Sequence, residues 1–201
     1  RSCQREWGTV RRGLWIWASP KKSKSKSPVF PIGEGTYSGQ QESLLEFMRQ
    51  QRCGYNPTLD MVCHAKDGRT FFGPMADSTY VDLSGGWHDA GDQLKYLITS
   101  SYATAHMLMA YELYPDRFED KVNALGQSGP NGIADVLDEA KWGLDWLLKM
   151  HPRDDWMFNQ LGDDRDHISM RIPKMDSQYG RGYQRPVYFI NGEKQQRGKF
   201  L

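Results

Sequence analysis

Three stretches of this sequence repeat apolar residues every three or four positions, and long loops rich in Gly, Pro and Asp separate them. The stretches cover residues 38–54, 94–113 and 133–148. This spacing puts the apolar side chains on one face of an α-helix. Strand-like runs at 70–72 and 186–190 are short and isolated. The sequence therefore predicts an all-α class with long loops, in which any sheet is small.

The loops at 55–91 and 152–201 are long. Because loops of this length are uncommon in compact domains unless they are functional, we expect functional residues there. The most apolar stretch, 97–114, is interrupted by several polar residues. A membrane span needs about 18 or more apolar residues in a row. We therefore expect no membrane span.

The charge of the chain is unevenly distributed. Residues 1–28 carry a net charge of +7, and because the whole chain is +1, residues 29–201 carry −6. The basic stretch has no aromatic residues between its lysines, which is typical of a solvated linker. We interpret 1–28 as a basic linker or a non-native tail and expect it to be disordered. The acidic remainder argues against nucleic acid as a partner.

Residues 85–92, Gly-Gly-Trp-His-Asp-Ala-Gly-Asp, form what we call the carboxylate loop. Its glycines permit a tight backbone path that presents Asp89 and Asp92 together at the start of the second helix. The positive end of a helix dipole would keep Asp92 ionised, so that it acts as a base while Asp89 holds a water. The alternative is structural: Asp92 caps the helix and Asp89 orders the turn.

The carboxylate loop closely resembles a signature of glycoside hydrolase family 9, a family of inverting β-glucanases and cellulases. Residues 142–149 and 160–167 resemble two later segments of the family, in the same order, and 185–188 resemble the segment before its next core helix. The resemblance covers about residues 30–190. It implies that 29–201 are a partial catalytic domain from the N-terminal portion of an (α/α)6 barrel.

The resemblance implies an endo-β-1,4-glucanase that hydrolyses cellulose or related β-glucans with inversion. Asp92 would be the general base, Asp89 would help bind the nucleophilic water, and His167 would line the sugar sites. Ile-Ser-Met at 168–170 replaces residues that are often aromatic in the family, so Arg171 would contribute polar contacts instead. The family's general acid is a Glu near the C-terminal end of its domain. We expect this chain to lack it and to be inactive alone.

Two alternatives stay open at this point. One is an exo-acting β-glucosidase of the same family, and the other is a catalytically silent carbohydrate-binding or structural fragment. A polymeric glucan cannot enter a cell, so we expect a secreted, cell-surface or periplasmic protein. The family also implies a missing C-terminal half of the barrel.

Cys53 and Cys63 allow two interpretations. A disulfide between them is the simple one for a secreted protein. With His64 and His88 they also form a set of two thiols and two imidazoles, which suits a closed tetrahedral zinc site. A zinc-containing subset of the family, often with a preceding immunoglobulin-like domain, has ligands of these types in this order. The resemblance thus implies a structural zinc site, with Cys3 outside it.

Asp163, Asp164 and Asp166 lie close together in the loop before His167. Carboxylates suit calcium, which the family uses in places. Their simpler role is to shape the loop around His167. Calcium is therefore possible, and we assign no residue to it.

Overall fold

The computed structural model describes part of the chain, in two compact units. The described residues are 5–11, 14–20, 30–33, 35–166, 170, 172–173 and 185–189. One unit is formed by residues 1–43 and the other by 44–201. The candidate functional residues that the structure describes all lie in the second unit.

The first unit contains a three-stranded antiparallel sheet in the order β1-β2-β3. Its strands are Arg5–Arg11 (β1), Leu14–Pro20 (β2) and Phe30–Ile32 (β3). All seven residues of β1 pair with β2, from Arg5 opposite Pro20 to Arg11 opposite Leu14. Both strands lie within the segment that we interpret as a basic linker or tail, and that interpretation stays a prediction. Val, Ile and Trp side chains favour strands, a preference that the basic charge of the segment obscured.

The described part of the chain contains three α-helices, as the apolar spacing predicted. They are Gln40–Gln50 (α1), Leu97–Leu113 (α2) and Asp135–Lys149 (α3). Helix α2 packs against α3, and Gly143 permits the close approach, because a Cβ there would lie 2.3 Å from Thr104 Oγ1. No helix among the described residues has the length and apolar character that a membrane crossing requires.

The second unit also contains two sheets, so the expectation of an all-α class is wrong. A hairpin joins Gly54–Asn56 (β4) to Met61–Cys63 (β5). A four-stranded sheet in the order β6-β9-β8-β7 contains Arg69–Phe71 (β6), Lys95–Tyr96 (β7), Phe158–Leu161 (β8) and Pro186–Phe189 (β9). Strands β6 and β9 are parallel, and the other pairs are antiparallel. Short runs far apart in the sequence thus share one sheet.

Strand β7 explains why α2 begins three residues later than the apolar pattern suggests. Lys95 pairs with Leu161 and Tyr96 pairs with Gln160, which keeps both residues extended. The helix therefore begins at Leu97. Residues that look like a first helical turn in the sequence instead join the sheet.

The hydrophobic core lies between α3 and the four-stranded sheet. Its buried side chains are Leu83, Trp146, Met150, Phe158, Leu161, Val187 and Phe189. The rings of Phe158 and Phe189 have centroids 4.5 Å apart, and the Trp146 indole N–H donates to the Leu83 carbonyl at 3.1 Å. This core anchors the chain just before the carboxylate loop.

Truncation of the core should cost far more stability than the same change on the surface. Leu161 is fully buried and Leu148 is 72% exposed. We expect Leu161→Ala to lower the free energy of unfolding by about 2–5 kcal/mol. Leu148→Ala should change it by no more than about 0.5 kcal/mol. Urea unfolding followed by circular dichroism measures both, and equal losses would contradict this placement of the core.

Candidate functional site

The carboxylate loop turns tightly because of its first two residues. Gly85 and Gly86 have φ angles of 104° and 67°, which glycine adopts without strain. A Cβ on Gly86 would lie 2.6 Å from the Trp146 ring, so a larger residue does not fit there. The Gly86 carbonyl accepts a hydrogen bond from the Cys53 amide at 2.8 Å. The turn thereby fixes the loop against the segment that follows α1.

The structure brings together the four side chains that the sequence suggested as metal ligands, Cys53, Cys63, His64 and His88. Their ligand atoms all lie within 4.8 Å of one another, and all four residues are buried. The β4-β5 hairpin places Cys63 opposite Gly54, next to Cys53. We call these four residues the Cys2His2 group. It is the one group within the described residues that has the composition and spacing of a metal site.

Both cysteines of the Cys2His2 group are free thiols, so the structure does not form the disulfide that the sequence left open. Burial raises the pKa of Cys53, but hydrogen bonds from Cys63 and His64 and the charge of Lys95 outweigh it. The net pKa of Cys53 lies well below the ordinary value. The hydrogen bond to Cys53, together with burial, raises the pKa of Cys63. Cys53 is therefore the more acidic of the two thiols.

The protonation state of His88 suits a metal ligand. Burial lowers the pKa of His88 and outweighs the opposing charge of Cys53, so the imidazole is neutral near pH 7. Its Nε2 atom has no hydrogen-bond partner among the described residues. A buried neutral imidazole beside a thiolate is the donor chemistry that zinc prefers. The residues present therefore fit a zinc ion.

A fully buried cluster of charged side chains contacts Cys53. Lys95 donates to the Cys53 sulfur at 3.2 Å, and its Nζ lies 3.6 Å from the nearer carboxylate oxygen of Asp67. Arg185 donates to both carboxylate oxygens of Asp67. Burial lowers the pKa of Arg185, but the charge of Asp67 outweighs it and raises the net value. The cluster thus joins β7, the loop after β5 and the residue before β9.

Asp89 and Asp92 lie on the open side of the carboxylate loop. The exposed Asp89 carboxylate accepts a hydrogen bond from the Thr99 hydroxyl at 2.7 Å, and its amide donates to the Leu94 carbonyl at 2.8 Å. The alternative that Asp92 caps α2 is wrong, because the N-cap is Tyr96, with no side-chain cap. Asp92 instead accepts from the Leu94 amide at 3.3 Å.

Carboxylates from two loops create a negative field at Tyr96. Burial is the largest cause that raises the pKa of this phenol, followed by the charges of Asp92 and Asp89 and then those of Asp164 and Asp166. The structure therefore places both carboxylates of the loop near one point. Asp89, but not Asp92, lines a cavity of 160 Å³ together with Phe47, Met48, Gln51, Trp87, His88, Thr99, Ser100 and Ala103.

A second buried network holds Trp87, the residue between the glycine turn and His88. Its indole N–H donates to Glu139 at 2.8 Å. The Arg52 guanidinium donates to both carboxylate oxygens of Glu139, at 3.2 and 2.7 Å, and stacks 4.3 Å from the Trp142 ring centroid. Trp87 is thus a structural side chain of the loop, packed between α1 and α3.

The two residues suggested as sugar contacts, His167 and Arg171, lie outside the described residues. Of the carboxylates considered for calcium, Asp163 accepts hydrogen bonds from the Arg165 guanidinium at 2.6 to 3.2 Å. Asp166 is buried and accepts from the Asp163 amide at 3.2 Å. These contacts shape the loop, in agreement with the simpler role.

Several residues of the site were not predicted from the sequence pattern. Thr99 supports Asp89, Lys95 contacts Cys53, and Asp67 with Arg185 completes the buried charge cluster. The signal available for Lys95 was a single charge within the apolar run 94–98. Asp67 and Arg185 lie 118 residues apart, so no local pattern connects them.

Comparison with known proteins identifies the family. The sequence profile of glycosyl hydrolase family 9 matches residues 37–199. The chain belongs to this family. The matched range contains the carboxylate loop and the whole Cys2His2 group, and the resemblance of the sequence motifs to the family is confirmed.

Similar proteins of known name are glucanases. The chain is 30% identical over 146 residues to endoglucanase D of Acetivibrio thermocellus, across 69% of the chain and 23% of that protein. It is 38% identical over 84 residues to a xyloglucan-specific endo-beta-1,4-glucanase of Bacteroides ovatus, across 41% of the chain and 14% of that protein. The chain therefore spans about a quarter or less of these relatives.

Solved structures of the family have a similar backbone. A metagenome-derived glycoside hydrolase family 9 endoglucanase superposes with a TM-score of 0.68 at 32% identity, over 89% of the chain and 32% of that structure. A zinc-binding triple mutant of the family 9 endoglucanase J30 has a TM-score of 0.62 at 26% identity, over 89% and 34%. The part of the chain that folds in the second unit thus follows the family fold.

The network around Trp87 predicts an asymmetry between two acidic residues of α3. Glu139 is fully buried with Arg52, so Glu139→Ala leaves an unpaired buried charge and should lower the free energy of unfolding by about 3–5 kcal/mol. Asp145 forms an exposed pair with Lys141, so Asp145→Ala should cost less than about 1 kcal/mol. Urea unfolding compares them.

Glu139→Gln keeps one acceptor for Arg52 and Trp87, and its loss should fall between the other two. A loss for Glu139→Ala as small as that for Asp145→Ala would show that the buried network does not hold the loop.

Proposed function

We propose that this chain supplies the base side of the active site of an endo-β-1,4-glucanase that cleaves cellulose or related β-glucans with inversion. Asp92 serves as the general base, and Asp89 helps to bind the nucleophilic water. The observation that carries the proposal is the arrangement of the carboxylate loop. Asp89 is exposed and supported by Thr99, while the preceding His88 is buried in the Cys2His2 group.

Inversion requires a base on one face of the sugar ring and an acid across the glycosidic bond. Their carboxyl groups stand about 6.5–9.5 Å apart so that a water fits between them. Asp89 and Asp92 are three residues apart in one loop and are therefore not an acid and base pair for one reaction. In our proposal the acid is a Glu in the part of the family's domain that this chain does not span.

In our proposal, Asp89 and Asp92 have different roles toward the nucleophilic water. The Thr99 hydroxyl occupies one oxygen of Asp89 and leaves the other for water. Asp89 then fixes the water and Asp92 removes its proton as the nucleophile attacks.

The substrate class follows from the relatives. Endoglucanase D and the xyloglucan-specific enzyme both act within β-glucan chains by name. We extend this substrate class to the present protein, with His167 and Arg171 as sugar contacts. Because such polymers lie outside cells, the protein would act as a secreted, cell-surface or periplasmic enzyme.

We also propose that the Cys2His2 group holds a structural zinc ion. The supporting observations are the burial and spacing of the four ligand atoms, the Nε2 of His88 without a partner among the described residues, and the similarity to a zinc-binding triple mutant of a family 9 endoglucanase. A zinc ion with four protein ligands has no open position, so it supplies stability rather than chemistry. Its effect would be to fix the backbone on the N-terminal side of Asp89.

Metal analysis of the purified chain tests the zinc site. We expect one zinc per chain in the unmutated protein, little or none in Cys63→Ser, and one in Cys3→Ser, which changes the cysteine outside the group. Inductively coupled plasma mass spectrometry after removal of loosely bound metal measures this. A full zinc content in Cys63→Ser, or none in the unmutated chain, would refute the site.

The catalytic assignment is tested in the full-length protein. Removal of a general base typically costs about 10²–10⁴-fold, so Asp92→Asn should lower kcat by that amount on a soluble cellulose derivative. Asp82→Asn, which changes an exposed carboxylate paired with Lys149, should leave kcat unchanged. Reducing-end release measures the rates.

The stereochemistry and the product size complete the test. We expect the first product detected by proton NMR to be the α-anomer, and a rapid fall in viscosity to show internal cleavage. Retention of the β-configuration, or normal activity of Asp92→Asn, would overturn the mechanism. Release of only short sugars with unchanged viscosity would favour an exo-acting enzyme.

A further inference from the structure

Lys95 is a fully buried lysine whose charge is not explained by the proposed chemistry. Its ammonium group donates to the carbonyls of Leu83 and Gly85 at 2.6 and 2.9 Å and to the Cys53 sulfur at 3.2 Å. An ammonium has three N–H donors. All three are therefore used, and each reaches a different residue.

These partners connect two parts of the site. Leu83 and Gly85 precede and begin the glycine turn of the carboxylate loop, and Cys53 belongs to the Cys2His2 group. Lys95 itself lies in β7, three residues after Asp92. A side chain that follows the C-terminal end of the loop thus contacts a metal ligand and the N-terminal end of the loop.

The charge of Lys95 matters as well as its hydrogen bonds. Removing an ammonium from water is costly unless it is paired. Asp67 lies 3.6 Å away but is already bound by Arg185 through both oxygens. Within the described residues, the Cys53 sulfur is the other acidic group that directly contacts the ammonium. A charge-assisted hydrogen bond to this sulfur is therefore the contact that a neutral side chain cannot replace.

We propose that Lys95 is a positioning residue that holds the Cys53 sulfur in place for zinc and ties the metal site to the carboxylate loop. This inference rests on the proposed zinc site. Groups that hydrogen-bond to metal ligands typically contribute about 10–100-fold to metal affinity. The role of Lys95 is indirect, since it touches neither the metal nor the substrate.

The test compares two lysines that donate to the same segment, residues 82–85. Lys95→Met removes the donor to Cys53 with little change in length. Lys149→Met removes a lysine that donates to the Ser84 carbonyl and to Asp82 but does not contact the sulfur. Zinc affinity of the 201-residue chain is measured by competition with a chromophoric chelator. We expect a loss of about 10–100-fold for Lys95→Met and no loss for Lys149→Met.

A spectroscopic signature separates this role from a general loss of stability. In the cobalt(II) form, the thiolate-to-metal charge-transfer band reports on hydrogen bonds to sulfur. Loss of the Lys95 contact raises the energy of the sulfur electrons. The band should therefore move to longer wavelength in Lys95→Met and stay in place in Lys149→Met. Equal affinities and equal bands in the three proteins would overturn the inference.

Failure of the two proposals gives different results. If the unmutated chain binds no zinc, the proposal of a metal site is wrong, and so is the proposed role of Lys95. If the unmutated chain and Lys95→Met bind zinc equally, the inference about Lys95 alone is wrong. If Lys95→Met does not fold, the NMR resonance of the Lys95 ammonium group in the unmutated chain tests the inference instead. It should shift when cadmium replaces zinc, while that of Lys149 should not, and an unshifted Lys95 resonance overturns the inference.

Discussion

The buried ion pair of Asp67 and Arg185 is the interaction on which the rest of the second unit depends. Both side chains are fully buried, and the guanidinium binds both carboxylate oxygens as well as the Gln93 carbonyl. Buried charges are tolerated only when their geometry and hydrogen bonds are nearly complete. This pair therefore fixes three distant segments at once: the loop after β5, the segment before β7 and the start of β9.

Two separate groups of buried charged side chains restrain the carboxylate loop, one on each side. On one side, Lys95 binds the carbonyl of Gly85, and on the other, Glu139 binds the indole of Trp87. Between these anchors and α2, Asp89 keeps its carboxylate exposed with one hydroxyl partner. A rigid backbone with a solvent-facing carboxylate is the arrangement that an ordered water requires, because the orientation is fixed before substrate binds.

The sequence predicted the features that local chemistry controls. Apolar spacing located the three helices, and residue types with their order in the chain brought Cys53, Cys63, His64 and His88 into one group before the structure placed them together. The pairing of the four-stranded sheet was missed because its strands are two to four residues long and pair across 26 to 117 positions. A short run has too little pattern to reveal a distant partner.

Buried charges were missed for a related reason. A lysine or an arginine is exposed in most proteins, so Lys95 and Arg185 carry no local sign of burial. Their burial is explained by their contacts with Cys53 and Asp67, which only the structure reveals. Pairing with a distant strand also explains why the alternative role of Asp92 as a helix cap is wrong. Strand β7 separates Asp92 from α2, and Tyr96 is the N-cap residue.

The long separation between the two halves of the buried ion pair affects how the chain is made. Asp67 and Arg185 are 118 residues apart, and at about 5–20 residues per second a ribosome needs about 6–24 s to cover that distance. The hairpin, the four cysteine and histidine residues and Lys95 all leave the ribosome before Arg185. During this interval the Cys2His2 group and Lys95 are already present in the chain, while the cation that binds both carboxylate oxygens of Asp67 is not.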